Sequence, residues 1–318
     1  MSTFIRCVAA AWLVIALSVS APTQAGEQKS ILITGASTGI GRNLAETLAA
    51  EGYHVYAGAR KDADLKELDA IENVTAVRLD VTKQDDVDAA VALIREKGTG
   101  LWGLVNNAGV GGGAGVIDTP IEDQTFVYRV NVEGVYRTTQ AFAPLIIESK
   151  GRIATTGSIA GTGSWPGGSA YSGSKHWIEA FTDALAGEME PLGVHVSVIE
   201  PGNYKSNIRR TRIARTLGVD PASDDLTDEQ KQQYQATAER ELSYKEPDEV
   251  TEAFKHALFS EKPLLRYVVV PNADEQRWTI GTKMTELVQL NQWGPYSYSR
   301  DELVKMLDEA LNPQEASD

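Results

Sequence analysis

A tyrosine and a lysine four positions apart are the first candidates for chemistry in this chain. Tyr171 and Lys175 lie in a segment with helical spacing, Ala170–Glu190, and residues four apart share one face of a helix. A nearby ammonium favours the phenolate and lowers the pKa of a tyrosine, which suits the phenol to proton exchange with a reacting oxygen. The pair predicts a general acid/base; taken alone, it is also a common surface feature.

A serine and a glycine-rich turn could complete such a site. Ser158 follows the apolar segment Arg152–Thr156, and residues 34–41 read TGASTGIG directly after the apolar segment Ser30–Thr34. Glycines let the backbone approach phosphates, and the following helix N-terminus offers free N–H groups. The spacing is G-x-x-x-G-x-G rather than G-x-G-x-x-G, and a plain tight turn is the alternative. We predict dinucleotide binding by Gly35, Ser37, Thr38, Gly39, Ile40 and Gly41.

The end of the second predicted strand indicates which dinucleotide binds. An acid there accepts hydrogen bonds from the ribose of NAD, whereas an arginine pairs with the 2′-phosphate of NADP. Here Arg60 and Lys61 follow the strand, and the first acid is Asp62. Arg60 therefore predicts NADP(H), helped by Ser37 or Lys61, with a solvated surface arginine as the alternative.

Apolar segments alternate with segments of helical spacing along most of the chain. Strands are predicted at Ser30–Thr34, Tyr53–Ala59, Val74–Leu79, Leu101–Val105, Arg152–Thr156, Val194–Ile199 and Leu265–Val270. Helices are predicted at Ile40–Glu51, Asp62–Ile71, Lys83–Lys97, Glu122–Glu148 (one helix or two nearly continuous ones) and Ala170–Glu190. This alternation predicts an α/β fold, a single Rossmann-type doubly wound parallel sheet of about seven strands flanked by helices. Residues 203–262 are interpreted as a helical substrate lid inserted before the last strand, and residues 299–311 as a C-terminal helix.

Composition excludes several classes of function. The chain has 318 residues, of which 42% are hydrophobic, and a formal net charge of −14. Such an acidic balance argues against a nucleic-acid partner. The four histidines show no metal-ligand spacing, so no metal is expected.

The N-terminus has the features of a signal peptide. Arg6 precedes the apolar run Val8–Val19, and small residues suggest cleavage after Ala25. Residues 1–25 would then be removed, with the single cysteine, Cys7, and residues 26–318 would form one exported domain in a periplasm or secretory compartment. If the segment stayed uncleaved, it would anchor the protein in a membrane.

Taken together, the motifs resemble those of the short-chain dehydrogenase/reductase family. The matching motifs are TGASTGIG at 34–41, LDVT at 79–82, NNAG at 106–109, VNVEG at 130–134, TGS at 156–158, YSGSK at 171–175 and PGNYKS at 201–206. They occur in the family's order over residues 30–206, and the C-terminal third matches more loosely.

The resemblance implies a role for each matching residue. Tyr171 would be the general acid/base, Lys175 would lower its pKa and bind the nicotinamide ribose, Ser158 would polarise the substrate oxygen, and Asn131 would anchor a water in a relay to Lys175. Asp80 and Val81 would lie at the adenine, and the run from Asn106 through Asn107 and Ala108 to Gly109 at the adenosine ribose. Pro201, Gly202 and Ser206 would border the nicotinamide; Ser206 stands where the family usually has threonine. A homodimer or homotetramer is implied in the same way.

The substrate is predicted less sharply. The length and Arg60 are most similar to the hydroxysteroid and retinol dehydrogenase branch, which implies a hydrophobic carbonyl or alcohol compound. Trp165 and the aromatic tail with Trp278, Trp293, Tyr296 and Tyr298 could line an apolar pocket, and four arginines at 209, 210, 212 and 215 could attract an anion, although a solvated helix face is the simpler interpretation. Two other functions remain open: a non-catalytic NADP-binding redox sensor and a sugar-nucleotide epimerase-type enzyme.

Overall fold

Seven parallel strands form a single sheet. The computed structural model describes residues 28–113, 115–218 and 226–312, so the predicted signal peptide lies outside the described residues. The strands are β1 (Ser30–Ile33), β2 (His54–Ala59), β3 (Val74–Arg78), β4 (Gly103–Asn106), β5 (Arg152–Thr156), β6 (His195–Pro201) and β7 (Arg266–Val269). Their order across the sheet is β3-β2-β1-β4-β5-β6-β7, which confirms the predicted doubly wound architecture.

Helices cover both faces of this sheet. They are α1 (Gly39–Ala50), α2 (Asp62–Asp69), α3 (Gln84–Lys97), α4 (Ile121–Tyr128), α5 (Gly134–Ser149), α6 (Ser169–Met189), α7 (Ile208–Leu217), α8 (Asp228–Leu242), α9 (Asp248–Phe259), α10 (Ala273–Leu290) and α11 (Arg300–Leu311). Successive side chains of a strand point to opposite faces. In β1, Ile31 and Ile33 accordingly join the core under α1 and α9, while Leu32 joins the core under α3 and α5. Burial on both sides explains why the strand segments are apolar throughout.

The predicted long helix at residues 122–148 contains a π-helical turn. Residues Arg129–Glu133 form this turn between α4 and α5, and Asn131 lies in it with 1% of its surface exposed. A π turn adds a residue to the helical turn and changes the direction of its side chains. It therefore sets where the Asn131 amide points.

The segment predicted as a substrate lid is partly core. Residues 203–262 do contain three helices, but Val250, Phe254 and Leu258 of α9 pack into the core beside α1. Among the three helices, α7 and α8 pack on each other and carry residues that line a cavity, as do Asn203, Tyr204, Ser206 and Tyr244 in the adjoining loops. The prediction is therefore wrong for α9, because its apolar face covers the sheet. The substrate role of the rest of the segment stays a prediction.

The C-terminal region contains one predicted and one unpredicted helix. The predicted C-terminal helix is α11, which begins with a capping box formed by Ser299 and Glu302. Helix α10 was not predicted, although Asn272 accepts a hydrogen bond from the Glu275 N–H at 3.0 Å and caps it. Within residues 28–113, 115–218 and 226–312, no helix is both long and apolar enough to cross a membrane.

Candidate active site

A groove of about 390 Å³ runs along the edge of the sheet at which the strands have their carboxyl ends. It lies at the point where the strand order turns, with β2 and β3 on one side of β1 and β4 to β7 on the other. This switch point is where doubly wound sheets bind ligands. Most of the predicted cofactor residues line it: Gly35, Ser37, Thr38, Gly39, Ile40, Arg60, Asp80, Val81, Asn107, Ala108, Gly109, Tyr171, Lys175, Pro201, Gly202 and Ser206. Gly41 and Asn106 are not among the lining residues.

Two glycines of the turn are required by close packing. Gly35 has φ +65°, and a Cβ there would lie 2.8 Å from the Cα of Ala108. A Cβ on Gly41 would lie 2.3 Å from Nδ2 of Asn107. Asn107 Nδ2 itself donates to the carbonyls of Thr34 and Gly35 at 3.0 and 3.1 Å. Gly41 thus lets α1 approach the turn after β4 and supports the groove without lining it.

The first turn of α1 suits an anion. Its N-cap, Thr38, makes no side-chain capping hydrogen bond, and the turn holds no acidic residue. In contrast, Thr227 and Ser299 cap α8 and α11 with their side chains. Uncapped N–H groups at a helix N-terminus carry a partial positive charge and bind phosphates. The groove therefore fits a pyrophosphate at this end.

Two cationic residues follow β2 at the groove, which Asp64 and Asp80 also line. Arg60 is exposed and lines the groove together with Lys61. Asp62, the nearest acid in sequence, forms an ion pair with Arg78, whose guanidinium also donates to the carbonyl of Arg60 at 2.7 Å. Partial burial of Asp80 opposes its charge, but hydrogen bonds from Thr82 and the charge of Arg60 outweigh it and lower the pKa of Asp80.

The tyrosine–lysine pair lies at the inner end of the groove. Lys175 Nζ donates to the carbonyl of Thr156 at 2.7 Å and lies 5.7 Å from the centre of the Tyr171 ring. Burial lowers the pKa of Lys175 to about 8, against the opposing charge of Glu179. Burial also raises the pKa of Tyr171 and outweighs a hydrogen bond with Ser158 and the charge of Arg209.

The direction of the Tyr171 shift corrects one expectation. Lys175 was expected to lower the pKa of Tyr171, but its ammonium is bound to the Thr156 carbonyl rather than to the phenol. Burial disfavours the charged form of both groups. For Tyr171, burial has a larger effect on the pKa than the neighbouring groups, so the phenol stays protonated at neutral pH.

Ser158 and Asn131 are held by local backbone contacts. Ser158 is 8% exposed, and its Oγ accepts from the Ala160 N–H at 3.1 Å at the start of a short 3₁₀ turn. Asn131 Nδ2 donates to the Val110 carbonyl and to Ser174 Oγ, both at 3.0 Å, and Oδ1 accepts from the Val110 N–H at 2.8 Å. Asn131 thus joins the loop after β4 to α6 next to Lys175. The predicted water relay stays a prediction.

The placement of Asn106 at the adenosine ribose is wrong. Asn106 is 2% exposed, its Oδ1 accepts from Thr138, and its Nδ2 donates to Thr139. Strand alternation turns its side chain toward α5, so the neighbouring Asn107 is the groove residue.

A second cavity of about 690 Å³ adjoins the groove. The two share Ser158, Tyr171, Pro201, Gly202, Tyr204, Ser206 and Ile208. Trp165 and Trp278 form an edge-to-face pair on its wall, with ring centres 6.4 Å apart. Gly111 and Gly112 of the glycine-rich loop line it too, whereas Trp293, Tyr296 and Tyr298 of the tail do not. Tyr171 and Ser158 therefore face both spaces.

Comparison with known proteins identifies the family. A family model described as short chain dehydrogenase matches residues 29–216. The chain belongs to this family.

Individual members differ in how much of the chain they match. The mitochondrial D-beta-hydroxybutyrate dehydrogenase of Mus musculus is 40% identical over 190 residues, 57% of this chain and 55% of that protein. This chain thus spans about half the length of that relative. The 17-beta-hydroxysteroid dehydrogenase type 6 of Mus musculus is 35% identical over 256 residues, 76% of this chain and 80% of that protein.

A solved structure supports the same family assignment. The short chain dehydrogenase/reductase from Burkholderia phymatum, crystallised in complex with NAD, superposes with a TM-score of 0.67 at 25% identity and covers 86% of this chain and 98% of that one.

This short chain dehydrogenase also contains two carboxyl groups beside one guanidinium, an arrangement that the sequence did not predict. Glu200, at the end of β6, is 1% exposed, and Arg266 Nε lies 3.1 Å from Glu179 Oε2 and 4.0 Å from Glu200 Oε1. Burial, with the charge and hydrogen bond of Glu179, raises the pKa of Glu200 to about 8. Glu200 is therefore mainly protonated at neutral pH.

We expect Glu200→Gln to change how stability depends on pH. A carboxyl whose pKa rises from 4.5 to about 8 on folding binds more protons in the folded state, so wild-type stability falls as pH rises through that range. Glutamine matches the protonated acid and lacks this loss. As pH rises from about 5 to 8, the free energy of unfolding of the variant should increase relative to that of the wild type by on the order of 1–3 kcal/mol.

Urea denaturation of the two proteins at each pH measures this difference directly. Glu261→Gln, on an exposed carboxyl, is the control and should leave the pH dependence unchanged. A constant difference between Glu200→Gln and wild type at all pH values would show that Glu200 is ionised.

Proposed function

We propose that the protein is an NADP(H)-dependent oxidoreductase that interconverts a carbonyl group and an alcohol. The observation that carries this proposal is the position of Tyr171 and Ser158, which line both the groove and the adjoining cavity. A substrate oxygen in the cavity could contact both hydroxyls while its carbon faces the groove. A redox sensor would need neither hydroxyl at that boundary.

Different groove residues would bind different parts of the cofactor. The first-turn N–H groups of α1 would hold the pyrophosphate, Arg60 and Lys61 the 2′-phosphate, and Lys175 the nicotinamide ribose. A bound nicotinamide supplies or accepts the hydride. The NAD complex of the Burkholderia phymatum protein makes NAD the competing cofactor, and the positive charge at Arg60 favours NADP.

The protein groups then handle the proton. In reduction, Tyr171 Oη donates its proton to the substrate oxygen as the carbonyl carbon receives hydride, and Ser158 Oγ donates a hydrogen bond to the same oxygen. The phenolate that remains lies near the Lys175 ammonium. Because the pKa of Tyr171 is raised, the phenol is already a proton donor at neutral pH, which favours reduction there.

Deprotonation of the Lys175 ammonium should lower the rate of reduction at high pH. Its pKa is lowered to about 8, so its charge is lost as pH rises through that value. We expect kcat/KM for reduction to be flat below pH 8 and to fall up to about 10-fold per pH unit above it. Initial rates from about pH 6 to pH 10 measure this; a profile that stays flat to pH 10 would contradict a role for the ammonium.

A hydrophobic compound fits the larger cavity. Trp165, Trp278 and Tyr204 provide apolar wall area beside Tyr171. A panel of ketones, aldehydes and alcohols of increasing chain length, assayed with NADPH or NADP and followed by absorbance, tests the proposal. It predicts turnover that improves with chain length. NADPH binding without turnover of any panel member would favour the sensor instead.

Location and assembly are proposed on sequence grounds. We propose export with cleavage after Ala25, which N-terminal sequencing of the mature protein tests, and a homo-oligomer, which light scattering tests.

A further inference from the structure

Helix α7 brings two guanidinium groups to the larger cavity. Arg209 and Arg212 both line it. Arg209 donates to Asn203 Oδ1 at 2.5 Å and to the Tyr244 hydroxyl, and Arg212 donates to the Gly113 carbonyl at 2.6 Å. All three acceptors are uncharged. Among the described residues, neither guanidinium has a carboxylate within ion-pair distance.

Two of the three carboxylates on the same wall bind other groups, and the third is exposed to solvent. Glu241 has a side chain 2% exposed, lies 3.4 Å from Arg210 Nε and accepts from the Arg209 N–H at 2.7 Å. Glu275 accepts from the Asn203 N–H at 2.8 Å. Asp274 is exposed at the rim. Arg209 and Arg212 are half-buried, and although three acids line the same wall, neither guanidinium pairs with a carboxylate among the described residues. Their charge is therefore available to a ligand in the cavity.

Arg209 also lies close enough to the reacting hydroxyl to influence it. Its charge is one of the two effects that lower the pKa of Tyr171 against the larger effect of burial. A ligand that reaches Tyr171 with its carbonyl oxygen could therefore reach Arg209 with a second group. An anion would suit that second group, since guanidinium binds carboxylates through paired, charge-assisted hydrogen bonds.

We propose that the substrate is an oxo acid or hydroxy acid whose carboxylate binds Arg209, assisted by Arg212, while its hydrocarbon part lies against Trp165 and Trp278. This proposal rests on the proposed function, because it places the carbonyl at Tyr171. Arg209 would then be the residue that selects negatively charged substrates. The competing explanation is structural: the two arginines would only fasten α7 to Asn203, Tyr244 and the loop after β4.

A matched pair of non-reacting ligands separates these explanations without turnover. Hexanoate and hexanamide have the same carbon chain and differ in charge. Calorimetric titration of the NADP-loaded protein should show hexanoate binding about 10- to 100-fold more tightly than hexanamide, as expected for one charge-assisted contact. Arg209→Met should remove this preference, and Arg209→Lys should restore part of it.

Arg215→Met is the control on the same helix. Arg215 donates to the Gly111 carbonyl and lies over the Phe126 ring at 4.7 Å, outside the residues that line the cavity. This variant should keep the preference for hexanoate. Equal binding of the two ligands by the wild type, or a preference that survives in Arg209→Met combined with Arg212→Met, would overturn the proposal.

A kinetic comparison distinguishes this failure from failure of the proposed function. Oxo acids of increasing chain length are compared with their methyl esters. If acids exceed esters in kcat/KM and Arg209→Met reverses the order, both proposals hold. If esters and acids are reduced with equal kcat/KM, the proposed oxidoreductase activity stands and the proposed carboxylate site fails. If hexanoate is preferred but no oxo compound is reduced, the anion site stands and the proposed reaction fails.

Discussion

Tyr171→Phe should lower kcat for carbonyl reduction by about 10³- to 10⁴-fold, near the upper end of what a general acid contributes. The substitution removes one oxygen atom and keeps the ring that lines both cavities. Without the phenol, the substrate oxygen has Ser158 as a hydrogen-bond donor but no group positioned to transfer a proton. Single-turnover rates with NADPH and the best ketone of the panel measure this loss.

Cofactor binding should change little in the same variant. The pyrophosphate and 2′-phosphate contacts lie at the other end of the groove, so the Kd for NADPH should stay within about 3-fold of the wild-type value, less than 1 kcal/mol. Tyr128→Phe is the matched control, because Tyr128 packs against α6 near Gly173 but lines neither cavity. Tyr171→Phe retaining more than about a tenth of wild-type turnover would exclude the phenol as the proton donor.

Arg60→Asp should shift the preference for NADPH over NADH by about 10³-fold in kcat/KM. Loss of the charge-assisted contact to the 2′-phosphate accounts for about 10- to 100-fold. Repulsion by the new carboxylate, together with its hydrogen bonds to the ribose hydroxyls of NAD, accounts for the rest. Steady-state kinetics with both cofactors at saturating ketone give the ratio.

The control for this reversal of charge is a distant arginine. Arg95 on α3 is exposed and lies outside the groove residues, so Arg95→Asp should leave the cofactor ratio unchanged. Arg78, which donates to the Arg60 carbonyl, could hold part of the phosphate in the variant. An unchanged ratio in Arg60→Asp combined with Arg78→Ala would remove the NADP assignment.

Local patterns were sufficient to predict the sheet. Ile31, Leu32 and Ile33 are buried on both faces, and a run of apolar residues followed by a glycine turn is what such a strand produces in sequence. All seven predicted strands are found within a few residues of their predicted bounds. Helix α10 was missed because Gly281 and scattered apolar residues weaken its periodicity, although the Asn272–Glu275 cap was visible in the sequence.

The site was predictable where it depends on spacing along one element. Tyr171 and Lys175 are one helical turn apart, and the glycine turn is continuous. The choice between Asn106 and Asn107 depends on which face of β4 a side chain occupies, and that could not be decided from adjacent polar residues. The two carboxyls, Glu179 and Glu200, come from different elements and meet only in the folded chain.

Electrostatic effects were the least predictable. Sequence spacing correctly places the Lys175 ammonium near the Tyr171 ring, but it does not show that the ammonium donates to the Thr156 carbonyl. The sign of the Tyr171 shift depends on the balance between burial and charge. That balance is a property of the packed site, as is the binding of the Arg209 guanidinium to uncharged acceptors.

Isotope transfer tests the central claim most directly. The wild-type protein, NADPH carrying deuterium at the transferable C4 position and a panel ketone are incubated together, and the alcohol is analysed by mass spectrometry and NMR. The account predicts one deuterium on the carbinol carbon of the product and none in the matched reaction with Tyr171→Phe. Bound NADPH that transfers no deuterium to any ketone of the panel would contradict it.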